Sequence, residues 1–283
     1  MVQDLPEKRV PEVCEKVWQL SQEPYHQFYP IFESEEDVKH TLSWTMERDG
    51  SRAYGYWRAR VLEGVCCLFI EEEKHYVLII ALYSWGKFSA AANAFMRQIE
   101  KEFPGYTLEA GIAGEHTRFA QKLIRSGFRL QDDRFNMRHS LPAQIVQENR
   151  DDLELCVVKA DALGEFAPLC ESWFRGSLAS PESLAYRPED WLIVTARRAD
   201  SIVGAVIIWF FAGAGEIDGF HAEDAAMSRA LLLEAMRKSA QRADPIMTLG
   251  WMIQRSDPNL AVLYDLGFTQ TAHYTFYLRD ASE

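Results

Sequence analysis

Glu216 and Asp218 alternate along a short run, Glu216–His221, that reads as a strand, so both carboxylates point to one face. Carboxylates grouped in this way can accept a proton, and they equally suit the solvated edge of a hairpin. Glu109 stands on a separate strand-like run, 106–112. His116, His221 and His273 are scattered, and no spacing matches a metal site or a Ser-His-Asp arrangement. The five cysteines (Cys14, Cys66, Cys67, Cys156, Cys170) are odd in number and include no C-x-x-C pair. Neither a disulfide framework nor a zinc site is expected, and no metal is implied.

The elements that must position these groups follow from periodicity. Residues 11–20 read as a helix, and Ser34 caps a second over 35–46, whose acidic first turn suits the positive helix end. Strands follow over 52–62, 64–71 and 75–84, then a helix from Lys87 or Ser89 to Lys101, a strand over 106–112, a helix ended by Gly127-Phe128, and a strand that completes the half. Residues 142–150 read as a linker. The order then repeats: strand 153–159, helix 162–174, a polar Pro-containing loop 177–187, a hairpin of 191–197 and 202–211, strand 216–221, helix 227–242 and strand 246–254.

The last stretch, DPNLAVLYDLGFTQTAHYTFYLRD (257–280), has a short helix, Gly267-Phe268 and a closing strand. It matches His116–Leu141 in the first half, and Phe128 and Phe268 lie 140 residues apart in a chain of 283. That period indicates two copies of one domain, over 1–144 and 150–283, not a solenoid. The stretch resembles the C-terminal signature of the GNAT superfamily (GCN5-related N-acetyltransferases), in which an A-x-x-LY-x-x-x-GF-like helix precedes the last strands. The fold class implied is α/β in the α+β sense: two tandem GNAT-like domains, each a mixed, mostly antiparallel sheet flanked by helices.

The resemblance carries a site with it. In this family acetyl-CoA lies where two neighbouring strands splay, and its pyrophosphate meets the start of the next helix at an R/Q-x-x-G-x-G/A pattern. Small residues there let a phosphate reach the backbone, and the helix dipole favours an anion. In the first half the stretch is Lys87-Phe88-Ser89-Ala90-Ala91-Ala92, which makes Lys87, Ser89, Ala90 and Ala92 candidate cofactor contacts. In the second it is Glu223-Asp224-Ala225-Ala226-Met227-Ser228, with Ala226 and Ser228 small but two carboxylates in the lead, which Arg229 would have to offset. The family tyrosine that protonates the departing thiolate corresponds to Tyr264, three residues before Gly267 where the family has four, a displacement of about 100° around a helix. Tyr264 also reads as a packed aromatic with its hydroxyl at the surface. The first half has Leu123 and Ile124 there. Glu216 is the candidate base, with Asp218 and Glu109 behind it.

Composition narrows the rest. Net charge is −12, from 30 Lys and Arg against 42 Asp and Glu, which argues against a nucleic-acid surface. It suits a cationic substrate or plain solubility. No secretory signal is visible, and the longest apolar run, 202–215, is shorter than the roughly 18–20 residues that cross a bilayer, so a cytoplasmic protein without a membrane partner is expected. The resemblance thus implies an acyl-CoA-dependent N-acetyltransferase acting on a small-molecule amine. Alternatives are a non-catalytic GNAT-like binding module, favoured by the degenerate loops, and aminoacyl transfer from aminoacyl-tRNA, which the acidic charge opposes. The aromatics Tyr25, Phe28, Tyr29, Phe32, Trp173 and Tyr186 form either an acceptor wall or packing. The acceptor, the oligomeric state and the half that binds CoA stay open.

Overall fold

A computed structural model describes residues 1–29, 31–114, 117–142, 145, 152–159, 162–174, 179–211, 213–242, 244 and 246–281. His116 and most of the 142–150 linker lie outside them. Contacts divide the chain into two compact units: Met1–Asp133 with Ala272–Glu283, and Arg134–Thr271.

Unit 1 begins with β1 (Val2–Asp4), α1 (Val10–Ser21) and α2 (Glu35–Glu47). α1 buries Val13 and Val17 on one face, and Ser34 caps α2 by accepting the Asp37 N–H at 3.1 Å. Then come β2 (Ser51–Arg58), β3 (Val61–Glu71), β4 (Tyr76–Ser84), α3 (Phe88–Glu102), β5 (Thr107–Ala113) and α4 (Thr117–Arg125). β1 to β4 pair antiparallel in that order, and β4 and β5 pair parallel. Fully buried Phe95 and Ile99 of α3 join Leu62, Leu68 and Leu82 in one apolar core.

Unit 2 repeats the plan with β7 (Glu154–Val157), α5 (Leu163–Trp173), α6 (Pro181–Tyr186), β8 (Trp191–Arg198), β9 (Ser201–Phe211), β10 (Ala214–His221), α7 (Ala225–Ala240), β11 (Thr248–Gln254) and α8 (Asn259–Asp265). α7 buries Leu231, Leu232 and Ala235 against Val206 and Ile208, while Phe166 of α5 packs with Ile193 and Ile207. α6 corrects the sequence reading of 177–187 as loop. Ser180 and Ser183 form a reciprocal capping box and Pro181 takes the first helical position, so six residues wind despite the polar, Pro-containing composition. Residues 177 and 178 of that stretch lie outside the described ones.

The register irregularities repeat too. One residue is unpaired in each second strand of the hairpin, Glu63 in β3 and Val203 in β9. One is unpaired in each fourth strand, Ile80 in β4 and Asp218 in β10. Such bulges bend and re-aim a strand.

The closing strands depart from the sequence reading, in which each half ends on its own strand. β6 (Arg129–Ser140) sends Arg134–Ser140 into unit 2, where it pairs antiparallel with β11. β12 (Thr269–Arg279) sends Tyr274–Arg279 into unit 1, where it pairs with β5. The units therefore divide the chain differently from 1–144 and 150–283. The physical reason is the repeat itself, since β6 and β12 are the same element of the two copies and either pattern suits either place. Each exchanged strand covers the Gly-Phe corner of its host unit. Arg279 lies over the Phe128 ring at 5.2 Å, and His139 packs on Phe268 at 5.1 Å between centroids.

Candidate functional site

In unit 1 the parallel pairing of β4 and β5 ends at Ile79–Ala110, although β4 runs on to Ser84 and β5 to Ala113. The bulge at Ile80 marks the parting. Carboxyl ends of parallel strands are where open α/β sheets take ligands, and α3 starts there. Lys87 is its N-cap residue, and no side chain caps the helix. Beside this helix start lies a pocket of about 410 Å³ lined by Lys87, Phe88, Ser89, Arg118, Gln121, Lys122 and Arg125. The α4 residues recur at i, i+3, i+4 and i+7, one face of a helix. Four cations and no carboxylate line the pocket, and none of the four makes an ion pair among the described residues. On a chain of net charge −12 this is a local reversal of sign, and it suits a multiply charged anion.

Unit 2 builds the equivalent place differently. Parallel pairing of β10 and β11 ends at Glu216–Gly250. The start of α7 is capped by its own carboxylate, with Asp224 accepting the Met227 N–H at 2.7 Å. Ser228 is buried and donates to Asn259 Oδ1 of α8 at 2.6 Å, tying the two helix starts together where unit 1 has its pocket. Glu223 pairs with Arg198 at 2.8 Å.

No family model matches the sequence, and neither does any curated protein. Solved structures do match. A GCN5-related N-acetyltransferase from Sphaerobacter thermophilus superposes with a TM-score of 0.73 at 14% identity, over 100% of this chain and 96% of its own. A tandem GNAT protein from the clavulanic acid biosynthesis pathway gives 0.64 at 14% identity, over 100% and 99%. The chain has a tandem GNAT fold. Both GNAT copies show the splayed strands, and only the first, among the described residues, has a basic, uncapped helix start beside them.

Lys87 and Ser89 line the pocket. Ala90 is partly buried, and Ala92 is fully buried in the core because it falls more than one turn into α3, on the sheet-facing side. In unit 2, Ala226 is exposed, Ser228 is used internally, and Arg229 has a partner of its own. Tyr264 is 47% exposed and makes no hydrogen bond among the described residues, while its neighbour Leu263 is fully buried. The three-residue spacing to Gly267 has turned the phenol outward, as it turns Ile124 outward beside buried Leu123 in unit 1.

Glu216 sits where β10 and β11 part. Its carboxylate accepts the Met252 N–H and pairs with Arg138 of β6 at 3.0 Å. Burial pushes its pKa up, and Arg138 and the Met252 N–H only partly oppose this. Gly250 makes room, since a Cβ there would lie 2.2 Å from Arg138 Nη1 and 2.5 Å from Glu216 Oε2. Asp218 does not join it. The bulge at Asp218 breaks the alternation expected to set both carboxylates on one face, and Asp218 instead accepts the Ala179 N–H at 2.9 Å. Glu109 is engaged with the Tyr76 hydroxyl, and His221 stacks on Trp173 at 4.1 Å. No hydrogen bond or ring contact joins Tyr264 to Glu216 among the described residues.

Sequence reasoning missed the residues that define both places. Arg118, Lys122 and Arg125 were legible as a cationic helix face but carry no family motif. Arg138 reaches Glu216 only through the exchange of β6, which no local pattern signals. The segment Gln27–Tyr29 was read as packing or acceptor wall. It forms an antiparallel bridge, Phe28 to Ile112, on the β5 edge beyond the last parallel pair with β4.

Proposed function

We propose that this protein is an acyl-CoA-dependent N-acyltransferase that holds acetyl-CoA by its phosphates in the unit 1 pocket and acylates a small-molecule amine. The observation that carries the reading is the pocket itself, four cations that make no ion pair among the described residues, at a helix start without a side-chain cap beside splayed strands. Lys87, Arg118, Lys122 and Arg125 supply countercharge, and the first-turn N–H groups of α3 point along the helix dipole towards an anion. Bound acetyl-CoA would contribute an activated acyl thioester. The fold supports acyl transfer as the general chemistry; the amine acceptor and a cytoplasmic location are part of the proposal. No described helix is long and apolar enough to cross a membrane.

The candidate base Glu216, whose pKa burial raises, and the candidate donor Tyr264 both belong to unit 2, not to the unit that holds the pocket, so substitution tests their part in transfer. Loss of CoA-thiol release in Glu216→Gln with unchanged CoA binding would support the base. Unchanged turnover would remove it.

A second reading, a GNAT-fold module that binds CoA without transferring an acyl group, is favoured by the bridge of Gln27–Tyr29 to β5 and by the Asp224 cap on α7. Calorimetry with acetyl-CoA, followed by thiol release against a panel of small amines, decides between them. Binding that Arg118→Glu weakens, with thiol release, supports the transferase. Such binding with no release on any amine favours the module, and no binding at millimolar acetyl-CoA defeats both.

A further inference from the structure

We infer that Gln27–Tyr29 is a built-in stopper: unit 1 takes the phosphorylated nucleotide end of CoA and shuts out the acyl-bearing arm until Phe28 is expelled. The inference rests on the reading that the CoA phosphates occupy the basic pocket.

An arm running from that pocket into the splay needs the backbone edges and the space between β4 and β5. The β5 edge and the space beside Tyr83 of β4 are occupied by the chain itself. On the β5 edge, the Tyr29 N–H donates to the Gly111 carbonyl and the Ala113 N–H donates to the Gln27 carbonyl, each at 3.2 Å, on either side of the Phe28–Ile112 bridge. Phe28 is 1% exposed. Its ring lies 5.2 Å from Tyr83 of β4 and 4.9 Å from Phe119 of α4. Phe119 in turn meets Phe88 at 5.8 Å, and Phe88 lines the pocket. Aromatic packing therefore runs without a break from the pocket wall to the strand that should face the thioester.

The stopper is fitted, not incidental. A Cβ at Gly111 would lie 2.6 Å from the Tyr29 Cβ, so the segment seats only because β5 has bare backbone at that point. The Gln27 side chain donates to the Ser21 carbonyl at 3.2 Å, anchoring the segment to the end of α1. None of the pocket's four cations hydrogen-bonds to Gln27–Tyr29 or meets its rings among the described residues. The nucleotide end can bind with the stopper in place.

The test is calorimetric titration of the full chain with adenosine 3′,5′-bisphosphate, CoA and acetyl-CoA. The three should bind wild type within about threefold of one another, and Arg118→Glu should weaken all three by about tenfold. In Phe28→Ala, acetyl-CoA should gain about tenfold or more over the bisphosphate, because the arm then contributes contacts. Phe28→Leu serves as the milder variant should the alanine chain fail to fold. If acetyl-CoA binds wild type about tenfold more tightly than the bisphosphate, in an Arg118-dependent manner, the stopper is refuted while the phosphate pocket stands. An unchanged ratio in the Phe28 variants also refutes it. Binding of all three that ignores Arg118→Glu, or no binding at all, removes the phosphate reading and the stopper with it.

Discussion

At the scale of single residues, charge separates the two copies of the fold. The four cations beside the start of α3 make no ion pair among the described residues, whereas Asp224 caps the equivalent helix start in unit 2. Arg125→Glu, a change at an exposed position of the pocket rim, should weaken CoA binding about tenfold, or ~1.4 kcal/mol. The loss should shrink as salt rises, since screening acts on exposed charges first. Glu216 gives a pH prediction. Its folded-state pKa lies above the ordinary carboxylate value, so its contribution to stability is present below that value and lost as pH rises through the raised one. The thermal midpoint of Glu216→Gln should therefore rise relative to wild type between pH 4 and pH 7. A constant difference would contradict the assignment. The thiols make a third case. Cys14, Cys66, Cys67 and Cys170 are buried, burial pushes Cys67 up to about 12, and only Cys156 is partly exposed. Ellman titration of native protein should find one accessible thiol, and all five in denaturant.

At the scale of elements, most of the fold was legible. Three-residue and four-residue spacing marked the helices, β-branched runs marked the strands, and Gly-Phe marked both corners. Gly127 and Gly267 adopt φ of +85° and +87°, where a side chain is strained although the nearest atom leaves room. Gly267→Ala should cost about 1 kcal/mol in a denaturant titration, with little change in far-UV dichroism. What was not legible shares one cause. Strand register, bulges and bridges depend on partners far along the chain, and local pattern is silent about them. The pairing of Glu216 with Arg138, the detour of Asp218 to Ala179 and the seat of Phe28 on Ile112 are all of this kind. α6 is the opposite case, a local signal at Ser180 and Ser183 outweighed in the reading by overall polarity.

At the scale of the whole molecule, the exchanged strands make each unit dependent on both halves of the chain. Unit 1 takes Arg279 to Glu100 at 2.7 Å and Asp280 to Arg129 at 2.7 Å, besides the β5–β12 pairing. Fragments 1–144 and 150–283 should each fail to give a cooperative unfolding transition alone, and should recover one when expressed together. A cooperative transition in either fragment by itself would mean that its own closing strand can take the vacant place. The repeat predicted two domains; it did not predict which strand each would own, because β6 and β12 carry the same pattern.

Synthesis order adds a consequence. Glu100 and Arg279 are 179 residues apart, so at roughly 5–20 residues per second the ribosome delivers the second about 10–35 s after the first. Through that interval the β5 edge waits for Tyr274–Arg279, while β6, which emerges next, offers the same pattern at once. A nascent chain that paired β6 with β5 in that interval would have to release it before β12 could dock, and folding during synthesis should then show a slow phase that is lost when β12 is present from the start, as in refolding of the full chain from denaturant.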